Sequence, residues 1–260
     1  MKYLRIWKQL TICSFATFAS NRIDSLSYFL GKLIRFGFFW LMIASLFRFT
    51  ESVAGYGKYE VLLFFLTYNL IDLLSQFFLR GIYLFQGEVR NGQFDFTLAK
   101  PINPLFYSMS RLTDLLDFIF LLPIIGLLIF VMTKLSVSPT LASLAIYMFF
   151  LCLGLLIVTA IHIISAAITL LTTESDNIIW LYRETIGIGR FPPEILSQKL
   201  QWIFTFVIPI IVIVGFPAKA LLGVLHPSWM LTSCIITIFF FGCSLLLWKS
   251  SLKKYSSASS

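Results

Sequence analysis

The sequence contains little charge for its length. Only 12% of its 260 residues are Asp, Glu, Lys or Arg, whereas hydrophobic residues make up 58%. A soluble domain usually carries about 25% charged residues, so this composition excludes an ordinary soluble fold. The chain is therefore predicted to be an integral membrane protein that works in or across a bilayer.

Catalytic and nucleotide-binding motifs are also missing. The chain has two histidines, His162 and His226, and no HExxH, GxSxG or CxxC pattern. The Gly-Lys pairs at 31–32 and 57–58 lack the upstream glycine and the following Ser or Thr of a Walker A loop. We therefore expect the chain to bind no metal or cofactor, so that any ATP that drives it binds to another subunit.

The four cysteines form no disulfide framework. Cys152, Cys234 and Cys243 fall within apolar runs, and Cys13 lies near the N-terminus. All four are predicted to be free thiols that pack as small apolar side chains.

What the sequence does contain is a series of long apolar runs. A membrane helix needs roughly 20 such residues to cross the hydrocarbon, and these runs lack the alternation of a barrel strand. They predict an all-α integral membrane protein with six transmembrane helices, at 27–48, 60–79, 115–133, 141–171, 201–222 and 229–248.

The basic residues indicate an orientation. If both termini are cytoplasmic, Arg48, Lys58, Lys134 and Lys219 are the few basic residues left outside, in agreement with the positive-inside rule. The net charge of +8 then reflects this bias and attraction to lipid headgroups, so no nucleic-acid partner is expected.

The first 20 residues lack the compact apolar core of a signal peptide. On a helical wheel, Arg5 and Lys8 lie opposite a run of apolar side chains. This pattern predicts an amphipathic helix over 1–20 that lies flat on the inner leaflet. The alternative is a plain cytoplasmic leader.

Charged residues inside the predicted spans are few. Arg35 in the first span and Asp72 in the second both lie roughly 10–12 Å from the cytoplasmic end, at about 1.5 Å per residue. We hypothesise that they pair, because pairing reduces the cost of two lone charges. The pair would be either a static brace or part of gating or substrate passage. Asp114 and Asp117 open the third span, where carboxylates stabilise a helix N-terminus.

Two breaks between the apolar runs carry further signals. At 87–104, charged residues alternate with Phe94, Phe96 and Leu98, and Asn91-Gly92 predicts a turn. This pattern predicts either a short amphipathic docking element or a plain surface loop. In the fifth span, Pro209 is predicted to kink the helix. Gly215, Phe216 and Pro217 are predicted to break it near the outer face, which gives a re-entrant or interfacial hairpin over 214–228.

Four stretches of the chain resemble the ABC-2 type permease subunits of ABC exporters, and most of all a branch long known as an uncharacterised ABC-2 family. They are GQFDFTLAKPINPL at 92–105, ESD at 174–176 with RFP at 190–192, FTFVIP at 204–209 with GFPA at 215–218, and WKSSLKKYSSAS at 248–259. Their order and spacing cover nearly the whole chain. Ser259 departs from the pattern, since the family tail has Gly there.

The resemblance implies the type V ABC exporter permease fold in one domain, in the inner membrane of a bacterial cell. Residues 1–20 would be the connecting helix, and 80–113 would hold the coupling helix that docks on a separate ATPase. The hairpin at 214–228 would close the exit. The expected coupling residues are Glu88, Arg90, Phe94, Asp95, Phe96, Leu98 and Lys100. The expected exit-gate residues are Pro209, Gly215, Phe216 and Pro217.

The resemblance also implies partners. Two permease chains, identical or homologous, would assemble with two ATPase subunits that bind ATP and Mg. The segment 172–200, with interleaved acidic and basic residues, is predicted to be a cytoplasmic loop: either a solvated helix or a second ATPase contact. An ion-coupled secondary transporter is the main alternative function, and a membrane-embedded enzyme or a scaffold would share the topology.

Overall fold

The protein is built from helices throughout the part described by the computed structural model, residues 2–136, 139–172 and 176–256. No strand element occurs in these ranges. Two 3-10 helices, Gly187–Arg190 and Pro193–Ile195, follow α9, and a π-helix, Ile211–Gly215, precedes α11. In chain order the α-helices are α1 (Lys2–Ser20), α2 (Arg22–Leu46), α3 (Lys58–Leu79), α4 (Ile82–Arg90), α5 (Gln93–Leu98), α6 (Pro104–Ser110), α7 (Leu115–Met132), α8 (Leu141–Thr172), α9 (Asp176–Ile186), α10 (Gln198–Phe206), α11 (Phe216–Leu221) and α12 (Ser228–Lys254).

Five helical stretches in the described residues are long and apolar enough to cross a membrane. They are Ile23–Leu46, Lys58–Arg90, Leu115–Met132, Leu141–Thr172 and Ser228–Lys254. In lipid each backbone polar group must be satisfied within the segment, and a helix does this with its own hydrogen bonds. The prediction of an all-α membrane protein is confirmed, and these stretches match five of the six predicted spans.

The helices are buried to very different degrees. In the stretch that includes α3, 78% of the apolar window is buried inside the chain, against 6% for α2. α3 packs against α7 and α8, and α12 packs along α8. α3 is therefore the central helix, and α2 leaves most of its surface uncovered by the rest of the chain.

Both ends of the described chain lie at one end of the bundle. The Tyr3 ring of α1 packs against Phe106 with centroids 4.8 Å apart. Tyr255, just after α12, packs against Phe94 with centroids 5.3 Å apart. Both partners belong to the connection between α3 and α7. We call this end the terminal face, and the other end, with the α2–α3 connection 47–57, the opposite face.

The segment 176–195 runs from the terminal face to the opposite face, which corrects the prediction of a cytoplasmic loop over 172–200. Its contacts, in chain order, join Trp180 to Tyr83, Arg183 to Asp72, Arg190 to Tyr68 and Glu194 to Tyr56. These partners follow α3 from just beyond its C-terminal end to just before its first residue. At 1.5 Å per residue, this length along the helix axis is about 30 Å. The sequence did not predict this path, because the segment is charged and α9 has only 11 residues. Glu174 of the predicted loop lies outside the described residues, as does Ser259.

The predicted fifth span, 201–222, is also corrected. α10 and the helix Ile211–Leu221 are bent by 87° at the break between them. α10 begins shortly after Glu194, at the opposite face. Lys219, near the end of the helix Ile211–Leu221, forms an ion pair with Glu194. The chain therefore enters and returns on one side, and this re-entrant pair occupies 198–221 rather than 214–228.

The break in the re-entrant pair lies at Pro209, as predicted, but the second predicted break is wrong. The π-helix Ile211–Gly215 continues directly into α11. Pro217 occupies one of the first two positions of α11. Because the two helices are continuous, Pro217 lies inside one helical stretch, and that stretch does not end at this proline.

The cysteines are free, as predicted, but are not packed in the core. Cys13, Cys152 and Cys243 are exposed on the surface of the chain, and Cys234 is half-buried.

Candidate functional site

The connection between α3 and α7 folds into a compact unit on the terminal face. Gly92 adopts a left-handed conformation with φ of 69° between α4 and α5, which fits the predicted Asn91-Gly92 turn because glycine adopts this region at little cost. Asn103 caps α6 by accepting a hydrogen bond from the backbone N–H of Phe106 at 3.1 Å. These two local features set the direction of the six-residue helix α5.

One side of α5 is fixed to the bundle. Phe94 is fully buried, with its ring 5.0 Å from Phe85 and 6.4 Å from Trp248. The Tyr255 hydroxyl donates to Asp95 at 3.0 Å. Burial, together with this hydrogen bond to a carboxylate, raises the pKa of Tyr255 to about 12, so the hydroxyl is a neutral donor at physiological pH. α5 is thereby attached to the end of α12.

A buried ion pair secures the rest of the unit. Glu88 of α4 is buried and pairs with Arg111, which follows α6. Burial disfavours the charged guanidinium and lowers the pKa of Arg111. A neighbouring carboxylate makes such a buried charge tolerable. Glu88, like Phe94 and Asp95, therefore faces into the protein.

The remaining predicted coupling residues face outward. The side chain of Phe96 is 73% exposed and that of Leu98 is 40% exposed. Arg90 and Lys100 are exposed beside them. We call these four residues the docking surface: Phe96 and Leu98 of α5, with Arg90 at the end of α4 and Lys100 just after α5.

Four charged residues meet near the terminal end of α7. Asp114 caps that helix by accepting from the backbone N–H of Leu116 at 2.9 Å. Its other oxygen lies 2.7 Å from Arg80 Nη1. Asp117 forms an ion pair with Lys32 of α2. The two carboxylates do stabilise the helix start, as predicted, and they also join α2 and α3 to α7.

The predicted Arg35–Asp72 pair is not formed. Asp72 instead lies 3.6 Å from Arg183 of α9, and both side chains are largely buried. Arg35 lines the same cavity as these two residues. The partner of Asp72 comes from a segment that was predicted to lie in the cytoplasm, so the sequence offered Arg35 as the nearer choice.

Several of these charged residues line two adjoining cavities, which lie between α2, α3 and the segment 176–195. The larger, about 600 Å³, extends toward the terminal face past Tyr28, Arg80 and Trp180. The smaller cavity, about 60 Å³, lies nearer the opposite face and is lined by Arg190 and several aromatic rings. Both cavities share Lys32, Arg35 and Arg183 in their walls.

The predicted exit-gate residues all belong to the re-entrant pair. Pro209 is buried at the bend, and Gly215 packs closely against Pro193 of the segment 176–195, which we call the crossing segment. The Phe216 ring contacts Trp229 of α12, with centroids 4.9 Å apart, and Phe150 of α8 at 6.0 Å. Through these contacts the re-entrant pair covers the bundle at the opposite face.

A polar cluster connects the re-entrant pair to the crossing segment. Glu194 pairs with Lys219 and accepts a hydrogen bond from the Tyr56 hydroxyl at 3.2 Å. Burial first, and then the negative charge of Glu194, raise the pKa of Tyr56 above its ordinary value. The re-entrant pair, the crossing segment and the start of α3 are therefore linked at the opposite face.

The contacts of Arg183, Arg190 and Glu194 along α3 were not predicted from the sequence. One signal could have found them: Ile179, Tyr182 and Ile186 recur at helical spacing, and all three are buried. Such a stripe indicates a helix that packs against a core, although 11 residues are too few to suggest a crossing on their own.

These features define the class of the protein: a polytopic, all-α membrane permease with a re-entrant helix pair before its last span. The chain matches the family described as ABC-2 family transporter protein over residues 33–259. It belongs to that family, and it is a membrane permease component of an ABC transporter. No curated protein and no solved structure matched the chain in the corresponding comparisons.

Proposed function

We propose that this permease is driven by a separate ATPase subunit that binds the docking surface. The observation that carries the proposal is the two-sided environment of α5, with Phe94 fully buried and Phe96 73% exposed. An exposed aromatic ring on a fixed element is a typical anchor for a protein partner. Because α5 is attached to α4 and α12, a push on this surface reaches two membrane-spanning stretches.

The complete transporter contains two permeases and two ATPases, with ATP and Mg bound in the ATPases. The uncovered α2 supports a second permease, identical or homologous, against this side of the chain. The terminal face is the cytoplasmic face of a bacterial inner membrane, and α1 is the connecting helix that lies along it. The excess of basic residues in the segments at this face supports that orientation.

The resemblance to the permease subunits of ABC exporters supports export as the direction of transport. The larger cavity extends toward the terminal face, while the re-entrant pair covers the opposite face. Closure of the ATPases around ATP moves the docking surfaces and rocks the helix bundles as rigid bodies. Pro209, Gly215, Phe216 and Pro217 belong to the element that opens the exit.

Affinity purification of the tagged permease tests the ATPase coupling. Phe96→Ala is expected to reduce the co-purifying ATPase, identified by its Walker motifs in mass spectrometry, by about tenfold or more. Phe49→Ala is the matched control, because Phe49 is 87% exposed and lies in the α2–α3 connection at the opposite face.

Equal ATPase recovery with the Phe96 variant and the wild type would contradict the proposed docking surface. A permease that purifies stably without any ATPase, and transports only with an ion gradient, would favour the ion-coupled alternative.

A further inference from the structure

The smaller cavity is unusually cationic for its position. Arg35 lies about midway along Ile23–Leu46, so the cavity is near the middle of the membrane. Four cations, Lys32, Arg35, Arg183 and Arg190, line it with one carboxylate, Asp72. Charges at this depth are costly and typically serve a function.

Two of the four cations are already neutralised. Lys32 pairs with Asp117, and Arg183 lies 3.6 Å from Asp72. Arg35 and Arg190 have no carboxylate within ion-pair distance among the described residues. The cavity therefore holds two guanidinium groups that no carboxylate of the described residues neutralises.

Arg190 is held in a fixed position without being neutralised. It donates to the Tyr68 hydroxyl at 3.0 Å, and its guanidinium lies 4.3 Å from the centre of the Phe39 ring and 4.6 Å from that of Tyr68. These contacts orient the group but supply no negative charge. A half-buried guanidinium of this kind is prepared to bind an anion with charge-assisted hydrogen bonds.

We infer that Arg35 and Arg190 bind the anionic head group, a carboxylate or a phosphate, of an amphiphilic cargo. The inference rests on the proposed transport function and adds to it the class of substrate. About 60 Å³ holds roughly four waters at 10–15 Å³ each, which suits a head group but not a whole amphiphile. The adjoining cavity of about 600 Å³, which shares Lys32, Arg35 and Arg183 with the smaller one, offers Tyr28, Leu84 and Trp180 to the apolar remainder.

Binding to the full-length chain in phosphatidylcholine nanodiscs tests this assignment, with empty nanodiscs as background. The probe is dodecyl phosphate, and dodecyltrimethylammonium and inorganic phosphate are the competitors. Arg35→Gln and Arg190→Gln are each expected to weaken dodecyl phosphate binding by about tenfold to a hundredfold. Arg48→Gln, an exposed cation beyond the end of α2, is the matched control and should bind as the wild type does.

Each of the other outcomes of this experiment would contradict the proposal. Unchanged affinity in both variants, or stronger competition by the cationic amphiphile, would overturn it. Inorganic phosphate that competes as well as the probe would assign the site to free oxyanions. Loss of dodecyl phosphate binding in phosphatidylglycerol nanodiscs would assign the site to a resident lipid. Either result would overturn the assignment to cargo.

Arg190→Lys keeps the charge if Arg190→Gln fails to fold, and an intermediate affinity is expected for it. ATPase recovery is not part of this binding measurement. A failure here is therefore distinguishable from a failure of the docking proposal.

Discussion

At the scale of single residues, Phe94 and Phe96 form a matched pair on one short helix. Phe94→Ala removes a fully buried ring from the contact with Phe85 and Trp248, and is expected to destabilise the chain by about 3–5 kcal/mol. Phe96→Ala removes an exposed ring and should change stability by no more than about 0.5 kcal/mol. Unfolding curves of the purified variants measure both effects, and equal destabilisation would contradict the two-sided arrangement of α5.

The ion pair between Asp72 and Arg183 gives a second residue-scale prediction. Asp72→Asn leaves the largely buried Arg183 without its counter-ion, so each single variant should be destabilised. In a double-mutant cycle, Asp72→Asn with Arg183→Gln is expected to show a coupling of about 1–3 kcal/mol.

The comparison cycle combines Asp72→Asn with Arg35→Gln, which should show a smaller coupling, because these residues line one cavity but form no ion pair. A coupling to Arg35 as large as that to Arg183 would restore the pairing predicted from the sequence.

Residue roles could be predicted where they depend on neighbours in the chain. Asp114 was expected to stabilise the start of α7, and it does so through hydrogen bonds within three residues. The partner of Asp72 lies 111 residues away and reaches it only because the segment 176–195 rises along α3. No local pattern carries that information.

At the scale of elements, the contact between α8 and the re-entrant pair depends on Gly154. A Cβ at this position would lie 2.8 Å from the Ile213 carbonyl oxygen, and backbone cannot move aside as a flexible side chain can. Gly154→Ala is therefore expected to separate the two elements and to destabilise the chain by about 1–3 kcal/mol.

Gly126→Ala in α7 is the matched control, because a Cβ there meets nothing within 4 Å and alanine favours helix. Thermal unfolding in one detergent compares the two variants. Equal midpoints would mean that α8 and the re-entrant pair adjust without cost.

Element prediction succeeded where apolar composition alone decides the structure. α3, α7, α8 and α12 were expected at 60–79, 115–133, 141–171 and 229–248, and they occupy those ranges with small shifts at most ends. The position of α9 along α3 was missed because Arg183 is paired with Asp72 rather than solvated by water. Its mixed composition resembles that of a surface loop, and hydropathy cannot tell the two apart.

At the scale of the whole molecule, α3 and the crossing segment connect the two faces of the bundle. The docking surface is at the terminal face, and the cluster of Tyr56, Glu194 and Lys219 is at the opposite face. Between them, Asp72–Arg183 and Tyr68–Arg190 join the crossing segment to α3 at two heights. These contacts join the crossing segment to α3 from one face of the bundle to the other.

Labelling of single cysteines tests this topology without assuming which face is cytoplasmic. In a background without the four native cysteines, Ser52→Cys marks the opposite face and Ser256→Cys marks the terminal face; both positions are exposed. Ser197→Cys follows the crossing segment and is also exposed. If 176–195 crosses the membrane, Ser197→Cys reacts with an impermeant maleimide from the same side as Ser52→Cys. Reaction from the side of Ser256→Cys would return 172–200 to a loop, make α10 and α11 one bent span, and remove Arg190 from the middle of the membrane.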